Sequence, residues 1–328
     1  MWLSNSSVGR KFIMAITGAV LVLFVTFHCL MNAVAIAWPA AYNSVCLFLG
    51  ANWYALIASA GLAAFIIVHI IYAVMLTLQN RRARGHERYA VSKMPKGVEW
   101  SSQNMLVLGI VILAFLVVHM IQFWAKMQLV EILGTETMIP AAAGTLFLQE
   151  AFSQIWTPIV YIIGFVALWF HLNHGFWSMF QSVGWDSTVW IPRLKKIAAW
   201  WTSIVVVLFI AEAVVFTVNA NKKTYLTDPA LREQYKAMVV PEYEKDFGPA
   251  AVQTLSAVPY EEFTKMVRGQ LSQMTDPQAQ AYFANEPKYP AMVEFLEGQV
   301  AFFDYLESAD AAPEAIAPSA APAPQPAN

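Results

Sequence analysis

Four histidines each lie within a separate long apolar segment of the chain, and the sequence contains six histidines in all. The four are His28, His69, His119 and His171. An ionisable side chain in the hydrocarbon of a membrane is costly and needs a partner, so it indicates a functional site by default. A neutral imidazole can bind a transition metal or carry a proton. Four such residues on four segments predict two pairs.

The composition predicts that these segments cross a membrane. Hydrophobic residues make up 58% of the 328 residues and charged residues 13%, whereas a soluble domain carries about 25% charged residues. About 20 apolar residues are needed to cross roughly 30 Å of hydrocarbon. Five segments meet this requirement, approximately at residues 12–37, 53–78, 104–125, 155–180 and 197–220. We therefore predict an all-α, polytopic membrane protein with five transmembrane helices.

The distribution of basic residues predicts the orientation of the helices. Basic residues precede the first segment and occupy the connections after the second and fourth, whereas Lys126 is the only basic residue in the two short connections on the other side. The positive-inside rule then places the N-terminus in the cytoplasm and the chain after the fifth segment outside. The basic residues counted are Arg10, Lys11, Arg81, Arg82, Arg84, Arg88, Lys93, Lys96, Arg193, Lys195 and Lys196.

The depths of the four histidines predict which of them pair. With a rise of 1.5 Å per residue, His28 and His119 lie about 24 Å and 22 Å from the cytoplasmic ends of their helices. His69 and His171 lie about 14 Å from those ends, so the two tiers are roughly 9 Å apart. Two imidazoles on facing helices can clamp a planar haem from both faces and leave no open position on the iron. The pattern predicts two bis-histidine haems that transfer electrons.

Histidines in membrane helices can also have roles other than haem binding. A single membrane histidine is often a hydrogen-bonding residue between helices. A proton relay would be expected to include carboxylates, yet the first four segments contain no Asp or Glu. His174 lies one turn from His171 and is an alternative ligand on spacing alone. The two cysteines, Cys29 and Cys46, form no haem-attachment motif. Any haem is therefore expected to be bound non-covalently.

After the fifth segment the chain becomes charged and rich in proline. Residues 221–307 are expected to form a soluble extension of short helices outside the membrane, and residues 308–328, rich in alanine and proline, are expected to be disordered. The region after residue 220 contains no His or Cys, so it is not expected to carry its own haem or iron–sulfur centre. A hypothesis for this extension is that it caps the outer mouth of the bundle.

Several motifs resemble a known family over roughly residues 4–220. They are the opening Ser6-Ser7-Val8-Gly9-Arg10-Lys11, the order of the four histidine-bearing helices, and the stretch from His171 through Gly175, Trp177 and Gly184. The chain resembles the single-subunit, five-helix, two-haem membrane cytochrome b of succinate dehydrogenases and fumarate reductases. The resemblance implies that His69 and His171 bind the inner haem b and that His28 and His119 bind the outer one. It also favours His171 over His174, because three residues and then a glycine follow the family's fourth ligand.

The resemblance further implies partners and a location. Members of this family sit in the bacterial inner membrane, anchor an iron–sulfur protein and an FAD-containing flavoprotein on its cytoplasmic face, and exchange electrons with a quinone pool. Menaquinol oxidation coupled to fumarate reduction is the expected direction, and no nucleic acid is expected to bind. Two rival functions are the cytochrome b subunit of a formate dehydrogenase or hydrogenase and a haem-free anchor or transporter. The cations expected to reach haem propionates are Arg10, Lys11, Arg81, Arg82 and Lys126.

The sequence departs from the family at two acidic positions. Some members have a glutamate two residues before the fourth ligand, where this chain has Trp169, and members of this type use a carboxylate near the outer haem at the quinol site. No acid stands at the start of the second segment, which reads Asn52-Trp53-Tyr54. Glu212, about 22 Å deep in the fifth segment, is therefore predicted to accept a proton during quinol oxidation. Glu131 and Glu150 are the fallback candidates.

Overall fold

The computed structural model describes residues 6–50, 52–84, 99–135 and 137–310. Helices and their connections make up these residues, with no strand among them, which confirms the predicted all-α class. The contacts divide the chain into two compact units, which meet between Lys222 and Lys223. Arg88, Lys93 and Lys96, together with most of the tail that was predicted to be disordered, lie outside the described residues.

Five of the helices are long and apolar enough to cross a membrane, so the chain is a multi-pass membrane protein. Several of their ends extend past the predicted segments. At one such end, Ser6 accepts a hydrogen bond from the backbone N–H of Gly9 at 2.9 Å and begins the first helix. The five are α1 (Ser7–Ala37), α3 (Trp53–Arg84), α4 (Trp100–His119, continued by a π-helical turn at Met120–Trp124), α7 (Trp156–Ser182) and α8 (Trp190–Asn221).

Three shorter helices occupy connections that the sequence analysis treated as loops. They are α2 (Pro39–Gly50), α5 (Gln128–Leu133) and α6 (Gly144–Phe152). Asn43 of α2 is buried and its Oδ1 accepts hydrogen bonds from both the backbone N–H and the hydroxyl of Thr145, each at 2.9 Å. Gln149 of α6 donates to the carbonyl of Ala220 at 2.8 Å. These buried bonds join α2, α6 and the end of α8.

Close packing between the long helices sets the positions of the histidines. Helix α7 packs against α1, α4 and α8, and α1 also packs against α3. A Cβ atom at Gly164 of α7 would lie only 2.6 Å from the ring of Phe115 on α4, so this close approach requires glycine. Helix α3 has no fully buried residue among those described, although it carries His69. Helix α3 is therefore less enclosed by the other helices than α7 or α8.

The unit after Lys222 is built from short helices, most of which begin at or near a proline. Asp228 and Asp276 cap two of them by accepting backbone N–H bonds, and a proline follows each cap. The prolines thus start the helices that they were predicted to separate. The helices are α9 (Thr224–Thr227), α10 (Pro229–Val239), a 3₁₀ turn (Val240–Tyr243), α11 (Glu244–Phe247), α12 (Pro249–Ala257), α13 (Tyr260–Met274), α14 (Pro277–Phe283) and α15 (Tyr289–Glu307).

An aromatic core holds this C-terminal unit together, with charged groups paired around it. Its largest fully buried side chains include Tyr225, Tyr235, Phe263, Phe302 and Phe303. Lys236 is 4% exposed, forms an ion pair with Glu233 at 2.9 Å and donates to the carbonyl of Val258. Arg268 binds both Asp304 and Glu307. The role of this unit as a cap of the bundle stays a prediction.

Candidate functional site

The four intramembrane histidines meet in two pairs, each formed by two different helices. The ring centroids of His28 on α1 and His119 on α4 are 5.7 Å apart, and those of His69 on α3 and His171 on α7 are 6.3 Å apart. All four residues are half-buried. The pairs are the ones that the sequence-based depths select.

The separation of the rings fits two imidazoles on opposite sides of one metal ion. A metal-bound imidazole nitrogen lies about 2 Å from the metal and about 1 Å from its own ring centroid, so trans imidazoles have centroids about 6 Å apart. Direct packing of two rings gives centroid distances in the same range, about 4.5–7 Å, so the case for a metal rests on the donor atoms as well as on the distances. The donor set, two neutral nitrogens in an apolar bundle, suits the iron of a haem.

The spacing of residues along two helices, α1 and α4, sets the distance between the pairs. Gly18 on α1 and Gly109 on α4 lie beside the rings of His69 and His171, respectively. Each glycine is ten residues before a histidine of the other pair on the same helix. Ten residues rise about 15 Å along a helix. The separation exceeds the roughly 9 Å that the segment depths predicted, because those depths depended on uncertain helix ends.

The His69–His171 pair is flanked by small residues and by a hydroxyl group. A Cβ atom at Gly18 would lie 3.7 Å from Cε1 of His69, and one at Gly109 would lie 4.0 Å from Cε1 of His171. The two glycines therefore present only backbone to these rings. Nδ1 of His69 lies 3.1 Å from the hydroxyl of buried Thr17. Nδ1 of His171 is buried and has no hydrogen-bond partner among the described residues.

The His28–His119 pair lies among aromatic side chains and beside the π-helical turn. Nδ1 of His119 is 3.2 Å from the hydroxyl of Tyr161 on α7, and that hydroxyl also bonds Gln122 within the turn. π-helical turns are rare and frequently occur at functional sites. The aromatic rings close to this pair belong to Phe24, Phe115, Phe123, Tyr161 and Phe209. They supply an apolar wall that excludes water.

The alternative ligand, His174, is engaged elsewhere. Its Nδ1 donates to Glu99 at 3.2 Å, and Lys195 binds the other oxygen of the same carboxylate at 2.6 Å. Burial of the Glu99 carboxyl favours its neutral form, but the bonds from Lys195 and His174 outweigh this and lower its pKa. Lys195 also lies over the ring of Trp177, 4.2 Å from its centroid. The structure thus pairs His171, and not His174, with His69.

The predicted propionate cations differ in exposure and in pairing. Lys126 forms an ion pair with Glu150, so the carboxylate neutralises the charge expected at one end of the bundle. Lys11, Arg81 and Arg82 are exposed, and Arg10 is half-buried near the start of α1. Their role as propionate partners stays a prediction.

Glu212 lies on α8 at the level of the His28–His119 pair. It is 3% exposed, and its Oε1 is 3.9 Å from the thiol of Cys29, the residue that follows His28. Phe209, one turn earlier on α8, has its ring centroid 6.3 Å from that of His28. A carboxyl group therefore lies within the protein interior close to this pair, as its sequence depth predicted.

The structure places a second acid where the sequence analysis found none. The Glu131 carboxylate of α5 lies directly against Gly50, three residues before the start of α3. Partial burial of this carboxyl raises its pKa. Gln128 holds α5 in place by accepting hydrogen bonds from Ser59 and Trp124. No local sequence signal relates Glu131 to α3, because the contact joins residues about 80 positions apart.

The position expected to hold an acid before His171 contains an indole. Trp169 donates from Nε1 to the hydroxyl of Ser203 at 3.0 Å, so it joins α7 to α8.

The sequence did not predict the hydroxyl partners of His69 and His119, which are Thr17 and Tyr161. A small signal existed for one of them, since Thr17 is a polar residue within an apolar helix.

Comparison of the chain with protein-family models, with curated proteins and with solved structures finds no match.

Proposed function

We propose that this chain is a haem b electron-transfer subunit that anchors a fumarate reductase or succinate dehydrogenase in the membrane. The observation that carries the proposal is the meeting of four histidines from four membrane helices in two pairs, with ring centroids 5.7 and 6.3 Å apart. Each pair holds one haem between its imidazoles. The resemblance of residues 4–220 to the two-haem cytochromes b of this enzyme family supports the same assignment.

The side chains of this chain bind, orient and shield the cofactors. A bound haem would supply one-electron transfer chemistry. His28 and His119 would hold one haem, and His69 and His171 would hold the other. Aromatic residues around the first pair would shield it from water, and glycines present only backbone beside the second pair.

The quinone-linked part of the proposal rests on two carboxyl groups. Oxidation of a menaquinol releases two electrons and two protons, and a nearby carboxylate is suited to accept a proton. Glu212 lies inside the bundle beside Cys29, and Glu131 lies near the start of α3. Both belong to the half of the bundle that contains the His28–His119 pair. We assign the proton-accepting role to Glu212 first and to Glu131 second.

The partners and location follow from the resemblance and from the charge distribution. The basic ends of α1 and α3 lie on the cytoplasmic side of the bacterial inner membrane under the positive-inside rule. An iron–sulfur protein and an FAD-containing flavoprotein dock on that side, and the flavoprotein performs the dicarboxylate chemistry. The C-terminal unit then lies outside the cytoplasm.

Assignment of the chain to a formate dehydrogenase or hydrogenase is less well supported. Cytochrome b subunits of formate dehydrogenases or hydrogenases usually place two ligands on one helix, which here requires both His171 and His174. The bond from His174 to Glu99 occupies one nitrogen of that ring and places it away from His69. The observation therefore favours the succinate dehydrogenase and fumarate reductase assignment.

A spectrum of the purified protein tests the proposal. Pyridine haemochrome analysis is expected to give two haems b per chain, and mass spectrometry of the intact complex is expected to find a flavoprotein and an iron–sulfur protein. A protein without haem would refute the cytochrome assignment and support a plain anchor or transporter. Two haems with a molybdenum- or nickel-containing partner would instead identify a formate dehydrogenase or hydrogenase.

A further inference from the structure

We infer that two hydroxyl groups, those of Thr17 and Tyr161, fix the tautomers of His69 and His119 and so direct Nε2 of each ring toward its metal. This inference rests on the proposed function, since the two histidines are treated as haem ligands. It concerns positioning residues, because neither hydroxyl reaches the metal. Each hydroxyl comes from a helix other than that of the histidine it contacts.

The hydrogen bonds around Tyr161 leave its oxygen free to accept. A phenol has a single proton, and Tyr161 donates it to Oε1 of Gln122 at 2.9 Å. The amide nitrogen of Gln122 donates in turn to the hydroxyl of buried Thr157 at 3.1 Å, which orients the amide. The Tyr161 oxygen therefore accepts from Nδ1–H of His119 at 3.2 Å. Nε2 of His119 then carries the lone pair that a metal requires.

The Thr17 hydroxyl orients His69 in the same way, through hydrogen bonds within its own helix. Its hydroxyl lies 3.0 Å from the carbonyl oxygen of Ile13 and 3.1 Å from that of Met14, one turn earlier on α1. The single hydroxyl proton is directed to these backbone acceptors, as is common for threonine in apolar helices. The oxygen is left to accept from Nδ1–H of His69 at 3.1 Å. Nε2 of His69 is again the free, metal-facing nitrogen.

The spacing of His119 and Gln122 lets both side chains reach Tyr161. His119 is the last residue of regular α-helix before the π-helical turn, and Gln122 lies in the middle of that turn. Residues three apart are neighbours on the surface of a helix, so His119 and Gln122 both contact the same hydroxyl on α7.

The inference predicts how each hydroxyl affects its haem. A hydrogen bond from Nδ1–H to an oxygen makes the opposite nitrogen a stronger donor, which favours the ferric state and lowers the midpoint potential. Tyr161 has the larger effect, because donation of its own proton to Gln122 makes its oxygen a better acceptor. Loss of either hydroxyl should therefore raise the potential of one haem only.

The test is a redox titration of the assembled complex carrying Tyr161→Phe or Thr17→Val. Tyr161→Phe is expected to move to more positive potential only the haem that His119→Ala removes, and Thr17→Val only the haem that His69→Ala removes. The low-spin ferric EPR signal of the same haem should shift in each case. Thr26→Val is the matched control, because Thr26 is also on α1 and bonds only its own helix, at the carbonyl of Val22.

Three outcomes would count against the proposals, and they are distinguishable. Unchanged potentials in both variants, with two haems retained, would overturn the hydroxyl assignment and leave the proposed function intact. Equal shifts of both haems, or a shift as large in Thr26→Val, would also overturn the assignment by indicating a general packing effect. A wild-type protein without haem would refute the proposed function itself.

Discussion

The membrane bundle and the C-terminal unit bury different polar groups. In the bundle, imidazoles from four helices meet in two pairs. In the C-terminal unit, buried Lys236 is paired with Glu233 beside an aromatic core. Buried polar atoms without a partner among the described residues occur in both regions, at Nδ1 of His171 and at the hydroxyl of Tyr243. The two regions therefore differ in the imidazole pairs, which we propose to hold haem, and in the ion pair and aromatic core that stabilise the C-terminal unit.

The largest effect is expected when a histidine of one of the two pairs is replaced. In His69→Ala we expect loss of the haem bound by the His69–His171 pair and retention of the other, because a second axial imidazole is missing. Pyridine haemochrome quantitation of the purified protein measures this. His174→Ala is the matched control and should retain both haems. Full haem content in each of the four single alanine variants at positions 28, 69, 119 and 171 would remove the basis of the comparison.

The second effect acts on the core of the C-terminal unit. Phe263→Ala should lower the local free energy of unfolding of residues 223–310 by about 3–5 kcal/mol, because a fully buried aromatic side chain is replaced by a cavity. Hydrogen exchange of peptides from this unit in the full-length protein gives the value. The control is Phe283→Ala, since Phe283 is 40% exposed. Equal losses in the two variants would contradict the assigned core.

The third effect shows which of two acids, Glu212 or Glu131, accepts a proton in the half of the bundle that contains His28 and His119. Glu212→Gln is expected to reduce quinol-dependent turnover by about 100-fold, the usual contribution of a proton-accepting side chain, with haem content unchanged. Glu131→Gln is the alternative, and Asp186→Asn, an exposed acid between α7 and α8, is the control. If only Glu131→Gln slows turnover, the role passes to Glu131. Unchanged turnover in both variants would exclude both acids.

The smallest effect is a pH dependence in the C-terminal unit. Burial of the Glu233 carboxyl favours protonation, but a bond from the backbone N–H of Tyr260 and the ion pair with Lys236 outweigh it and lower its pKa. A group with a lowered folded-state pKa stabilises the fold fully above its unfolded pKa. That stabilisation is lost as the pH falls through the folded value.

Glu233→Gln tests this pH dependence. The variant should be less stable than wild type near neutral pH, and the difference should shrink as the pH is lowered below about 4.5. The effect is small because the side chain is 46% exposed. Hydrogen exchange of peptides from residues 223–310 across this pH range is the measurement, with Glu297→Gln, another exposed acid, as the control. A constant difference at all pH values would assign the effect to packing.

Hydropathy was enough to predict the five membrane helices, their order and the helix that carries each paired histidine. It is a local property, since about 20 apolar residues are needed to cross the bilayer, and each predicted segment matches a helix of the structure to within one residue or lies inside it. Helix α13 spans Tyr260–Met274, within the region predicted to form short helices. Helical rise also predicted which histidines share a tier, but not the distance between the tiers, because that distance depended on uncertain helix ends.

Only the tertiary structure decided what surrounds those histidines. The bonds from His69 to Thr17 and from His119 to Tyr161 join residues 52 and 42 positions apart. The contact of Glu131 with Gly50 and the bond of His174 to Glu99 are similarly distant in sequence. Such contacts depend on the rotation of each helix about its axis and on the π-helical turn at Met120–Trp124. Rotation is set by packing between helices, which no single segment encodes.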